Sequence, residues 1–154
     1  MTTKFDFISS PDQISGDFFL KLHQLDQDFF PTPWSEVAFK SFIESHQFLL
    51  ISLSFNHEII GFALFEIQDA DSFAHLLKIL IKKEFQGKKY GDLLLKEALN
   101  QLKILGMKKY FLEVESTNLS AIKIYLNAGF KKVHLNKNFY GPNRHADIMT
   151  FEVE

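Results

Sequence analysis

The stretch Phe85-Gln86-Gly87-Lys88-Lys89-Tyr90-Gly91 constrains this chain most, because it joins an apolar run of strand length to an amphipathic helix pattern. Before it, His75-Leu76-Leu77-Lys78-Ile79-Leu80-Ile81 reads as a strand. After it, Leu94, Leu95, Ala98, Leu99, Leu102 and Leu105 recur at spacings of three and four, one side of a helix that Gly106 ends. A strand entering a helix through a glycine turn leaves the helix's first amides without internal partners, facing whatever occupies the loop. Such a junction is an anion site. Lys78, Lys82, Lys83, Lys88 and Lys89 flank it, either as a solvated rim or as the seat of a phosphate-rich ligand.

A chain of 154 residues with 46% hydrophobic content fits one domain, residues 1–154, with enough apolar side chain for a core. The net charge of −2 argues against a nonspecific nucleic-acid binder, which would carry a basic excess. No cysteine is present, so acyl transfer through an enzyme thioester is excluded. The N-terminus has no apolar signal core and no run approaches the ~20 residues of a membrane span, so a cytoplasmic protein is expected. The six histidines form no HExxH or HxxxH pair; no metal is expected, and each reads as a surface or packing residue.

In order, Lys4 to Ser9 reads as a strand, and Ser10-Pro11 as the entry of a helix carrying Phe18, Phe19, Leu22, Leu25 and Phe29. Pro31 and Pro33 break it, and Ser35 caps a second helix to about Ser45. Two apolar runs, Phe48 to Phe55 and Glu58 to Ile67, meet at Asn56-His57 as a hairpin, with Gly61 marking a bulge. A strand from about Phe73 to Ile81 precedes the glycine turn and its helix. Lys109 to Glu115 alternates as a strand, and Asn118 caps a helix ended by Gly129. Two last strands, about Phe130 to Leu135 and Ala146 to Val153, flank a polar turn at Gly141-Pro142-Asn143. The sum is an α+β domain, a mixed sheet of about seven strands with about four helices.

Gln86-Gly87-Lys88-Lys89-Tyr90-Gly91 is similar to the QxxGxG acyl-CoA loop of the GNAT N-acetyltransferase superfamily. Leu112-Glu113-Val114 with Asn118, Ala121, Tyr125, Gly129 and Phe130 resembles a block of its RimI-like branch, which acetylates protein N-terminal amines. Lys89 departs from the pattern, standing where the loop usually has its first glycine. If the backbone there is helical, the side chain is tolerable; if φ is positive, lysine is strained. The resemblance implies a GNAT fold, with acetyl-CoA as donor and direct transfer of acetyl to an amine.

By the same resemblance, Glu113 is the base and Tyr125 donates a proton to the leaving thiolate. Read alone, Glu113 fits a solvated strand face and Tyr125 fits core packing. Cofactor contacts are implied for the backbone of Ile79, Leu80 and Ile81, for the loop Gln86, Gly87, Lys88, Lys89, Tyr90, Gly91 and Asp92, and for Asn118 and Tyr125. Trp34 and Tyr140 fall in weaker matches at the two ends and are candidates for contact with the acceptor, although Trp34 also suits a packing anchor. The implied acceptor is a protein or peptide α-amine; a small amine, a lysine, or acyl-CoA binding without turnover are the alternatives. The expected state is monomer or dimer, without nucleic-acid or membrane partners.

Overall fold

The computed structural model of the chain describes residues 2–154. Among them, seven strands form one sheet: β1 (Thr3–Ile8), β2 (Phe48–Phe55), β3 (Glu58–Gln68), β4 (Phe73–Ile81), β5 (Lys109–Glu115), β6 (Lys131–Gly141) and β7 (Arg144–Glu152). Their spatial order is β1-β2-β3-β4-β5-β7-β6. Helices α1 (Gly16–Phe29) and α2 (Glu36–Ser45) cover one face, where Phe19, Leu22, Leu25, Phe39, Phe42 and Ile43 pack with Leu50, Phe62, Leu64 and Leu80. The stripe Leu94, Leu95, Ala98, Leu99 and Leu102 of α3 (Tyr90–Ile104), with Tyr125 of α4 (Leu119–Ala128), packs on the other against Leu49, Ile51, Phe65 and Leu112. The mixed architecture read from the sequence is the one observed.

The parallel pair β4 and β5 positions everything that follows. Its ladder is short: Phe73 pairs with Lys109, Ala74 with Tyr110 and His75 with Phe111. Beyond that the strands run on to Ile81 and Glu115 without further pairing. On its other edge, β4 faces β3 with Lys78 opposite Leu64 but Leu76 opposite Phe65, so Leu77 is an extra residue. A bulge of this kind bends a strand and adds local twist, and it opens β4 away from β5 just where pairing stops. It also reverses the alternation of side chains, so that Ala74 and Leu76 lie in the α3 core while Lys78 reaches Asp26 on α1.

Two element boundaries differ from the sequence reading. Ser10 and Pro11 open only a 3-10 turn, Pro11–Gln13, whose amides at Ser9 and Ser10 donate to Gln13 Oε1. The long helix starts afresh at Gly16, capped by Ser15, whose Oγ accepts from the Phe18 amide at 3.1 Å. The last hairpin is longer than expected, with Gly141 pairing directly with Arg144. Asn138, at φ +60°, donates its amide to His145 Nδ1 and accepts from the Asn143 amide, so side chains replace ladder bonds across an irregular stretch of β6. The Asn56-His57 link is a two-residue turn with both φ values positive, as read.

Gly61 sits beside the β2–β3 register shift expected there. A Cβ at Gly61 would lie 2.4 Å from the Leu80 carbonyl oxygen and 2.7 Å from Ile81 Cδ1. Gly61→Ala is therefore expected to destabilise the fold by roughly 2 kcal/mol through overpacking against β4 backbone. Urea unfolding checks this, and an unchanged midpoint would show that β3 and β4 are not so closely apposed.

Candidate active site

The gap between β4 and β5 is a cavity of about 720 Å³. Its walls are the end of β4 (Ile79, Leu80, Ile81), the glycine turn, the end of β5 (Glu113, Val114, Glu115), one side of α4, the segment 29–32 and Tyr140. It brings together most of the residues singled out in the sequence, from four separate stretches of chain.

The glycine turn closes on β4 through Gln86, whose Nε2 donates to the Ile81 carbonyl at 2.8 Å. Gly87 has φ +75° and Lys89 φ +67°, ψ +15°. Lys89 is therefore left-handed, the strained alternative, at a cost of about 1 to 2 kcal/mol for a residue with a side chain. Lys89 is also the residue before α3 and makes no side-chain cap, which leaves the first-turn amides free for an anion. Gly91 and Asp92 line the cavity; a Cβ on Gly91 would approach Ile124 Cδ1 of α4 at 3.1 Å. Lys88 and Tyr90 do not line it. Tyr90 packs edge-on to Phe55 and Phe85, and Lys88 Nζ lies 6.0 Å from the Phe85 ring centre.

The lysine cluster also divides. Lys82 pairs with Glu58 at 2.7 Å, and Lys78 is fully buried against Asp26 at 2.8 Å, so neither flanks the anion site as the sequence suggested.

Two carboxylates reach the cavity from alternate positions of β5, and their surroundings differ. Arg144 grips Glu115 with two hydrogen bonds, Nε at 2.9 Å and Nη2 at 2.8 Å, holding its carboxyl below the ordinary range. Glu113 is bound through one oxygen only, at 2.7 Å from His75 Nε2. The other oxygen has no side-chain partner among the described residues.

Tyr125 lines the cavity from α4, packed edge-on to Phe130, and burial raises its phenol pKa, with a smaller contribution from Tyr140. Tyr140 is pushed up to about 12 by burial and then by Glu113 and Glu115, so its hydroxyl lies in the field of both carboxylates. Asn118 caps α4, accepting from the Ala121 amide at 3.3 Å, and also lines the cavity. Trp34 does not. It packs against Phe39 and Phe42 at 5.5 and 5.3 Å, behind the segment that does.

A sequence profile described as the Acetyltransferase (GNAT) family matches residues 19–130. The chain belongs to this family. It is an acetyltransferase, and acetyl-CoA is the donor that GNAT enzymes use. It is 35% identical over 128 residues to the [ribosomal protein bS18]-alanine N-acetyltransferase of Haemophilus influenzae, covering 83% of this chain and 85% of that one. The fold superposes on the ribosomal-protein-S18-alanine N-acetyltransferase of Escherichia coli with TM-score 0.84 at 23% identity, over 98% of this chain and 95% of that one. It also matches a Bacillus subtilis acetyltransferase solved in complex with CoA, TM-score 0.79 at 14% identity, over 99% and 100% of the two chains.

In this GNAT chain the residue that sequence reading missed is His75. Its ring stacks on Phe111 at 3.9 Å between centres, and its side chain is 21% exposed against 20% for Glu113. The signal was a lone polar residue entering an apolar strand, which carries no spacing motif, and the contact spans 38 positions. His75→Phe preserves the stack but frees the Glu113 carboxylate. Acetyl transfer is expected to slow roughly tenfold with acetyl-CoA affinity unchanged. Steady-state rates and calorimetry check this, and a wild-type rate would make the pair incidental.

Proposed function

We propose that the protein transfers acetyl from acetyl-CoA directly to the α-amine of a protein or peptide N-terminus. The observation that carries this is the convergence of Glu113, Tyr125 and Tyr140 on a cavity that the glycine turn also lines. The similar chain from Haemophilus influenzae, a [ribosomal protein bS18]-alanine N-acetyltransferase, supports the same acceptor class.

The cavity suits the donor. The free β5-side edge of Ile79 to Ile81 offers backbone groups to an amide-rich arm, and the uncapped start of α3 offers amides to a pyrophosphate. Lys89 adds a screened positive charge at that end. Bound there, acetyl-CoA supplies an activated thioester, and the chain's residues supply proton handling and position.

An attacking amine must be uncharged. An α-amine has a reference pKa of about 7.7 to 8.0 against about 10.4 for lysine, so freeing its lone pair at neutral pH costs roughly 3 to 4 kcal/mol less. A carboxylate base is then sufficient. Glu113 takes this proton on the oxygen that His75 leaves free, whereas Glu115 is occupied by Arg144. Tyr125, on the wall of the same cavity, is the hydroxyl that would serve the leaving sulfur. A thiol has a reference pKa of about 8.5, below even an unperturbed phenol at about 10. Burial raises Tyr125 further, so complete proton transfer to sulfur is uphill, and its contribution is a hydrogen bond to the developing negative charge.

A mixture of peptides bearing free α-amines and blocked peptides bearing lysine, incubated with acetyl-CoA and read by mass spectrometry across pH, tests the reading. Acetyl is expected on α-nitrogen. Glu113→Gln should lower turnover by roughly 10² to 10⁴ at neutral pH, and the loss should shrink as pH rises and solvent frees the amine. Tyr125→Phe should show a loss that persists or grows, because higher pH provides no substitute donor. Acetyl found only on lysine, or parallel pH profiles for the two variants, would overturn the acceptor class or the separation of roles respectively.

A further inference from the structure

Phe29, the last residue of α1, and Phe30, Pro31 and Thr32, in the irregular connection between α1 and α2, line the cavity. Loops of this kind owe their position to their ends, yet this one is held in its middle by a charge pair with no exposed surface. Lys78 Nζ lies 2.8 Å from Asp26 Oδ1, both side chains 0% exposed. The same ammonium sits 4.3 Å from the ring centres of both Phe30 and Trp34 and donates toward the Thr32 carbonyl at 3.4 Å.

Asp26 uses its second oxygen to accept from the Trp34 amide at 2.9 Å. The Trp34 carbonyl in turn meets His23 Nε2 at 3.1 Å and accepts from Gln27 Nε2. His23, Asp26 and Gln27 lie at spacings of three and four, so one face of α1 grips Trp34 by its amide and carbonyl while β4 grips it by the ring.

We propose that Asp26 and Lys78 are positioning residues for the acceptor: the pair fixes Phe30, Pro31 and Thr32 as the wall against which the acceptor's N-terminus is aligned with Glu113. This deepens, and rests on, the acceptor reading above. Burying two charges is costly unless they and their remaining hydrogen-bonding capacity are satisfied, and here each partner's extra contact goes to this one loop. An apolar pair of similar volume would fill the same core space without reaching the Thr32 carbonyl or the Trp34 amide. The ammonium is also attracted to the faces of both the Phe30 and Trp34 rings, which an aliphatic side chain is not.

Trp34 is the chain's single tryptophan, so its fluorescence reports the loop without any assay of activity. The full chain carrying Lys78→Met is compared with wild type for acrylamide quenching of Trp34, for KM toward an α-amine peptide and for calorimetric affinity toward acetyl-CoA. Asp26→Asn with Lys78→Met removes both charges while retaining an acceptor for the Trp34 amide, and serves if the single variant does not fold. Quenching is expected to rise at least about twofold and acceptor KM about tenfold, with acetyl-CoA affinity within about twofold. A folded variant with unchanged quenching and acceptor KM overturns the proposal, as does equal weakening toward both substrates. If the wild type acetylates no α-amine peptide, the acceptor reading fails, and quenching alone then decides whether the pair holds the loop.

Discussion

The separation of β4 from β5 is the constraint on which the rest of the structure depends. Two parallel strands with apolar faces would ordinarily pair along their whole length, since every unpaired backbone group buried between them is costly. Here pairing ends at His75 and Phe111, and the extra residue Leu77 on the β3 side of β4 turns the strand away. The glycine turn then follows at the end of β4, so the same departure from pairing that exposes the strand edge also aims the start of α3 into the cavity.

The bulge has a second effect, on side-chain phase. His75 precedes it and Lys78 follows it, three positions apart, and the reversal of alternation sends both to polar partners rather than into the α3 core. One reaches across to Glu113 on β5 and the other back to Asp26 on α1. A single irregularity in β4 thus sets the carboxylate on one side of the cavity and the loop wall on the other. Both contacts are between residues far apart in sequence, which ties the site's geometry to completion of the whole sheet.

Much of this was legible in the chain because local chemistry agreed with tertiary structure. The α3 stripe, the Asn56-His57 turn, the Ser35 and Asn118 caps and the glycine turn each follow from residues acting within a few positions. What escaped was non-local or depended on phase. Ser10 had the composition of a helix start, yet Ser15 with its own acceptor contact to Phe18 sets the real one. The polar run before Gly141 looked like a turn because nothing in it announces that Asn138 and His145 would satisfy one another. Lys78 read as one of a cluster of surface lysines, since a buried ammonium is recognisable only once Asp26, Phe30 and Trp34 stand around it. Trp34 read as either a packing anchor or an acceptor contact, and it lies behind the wall as an anchor.

The central claim is that the donor lies in the gap left by β4 and β5, with its pyrophosphate at the start of α3. Amide hydrogen exchange in the presence and absence of acetyl-CoA tests it most directly, because the contacts in question are made by backbone groups. Slowed exchange concentrated at Ile79 to Ile81 and Gln86 to Asp92, with little change at the distant β1 edge, is the expected result. Binding that leaves those amides exchanging at their free rate, or that protects a different surface, would contradict it.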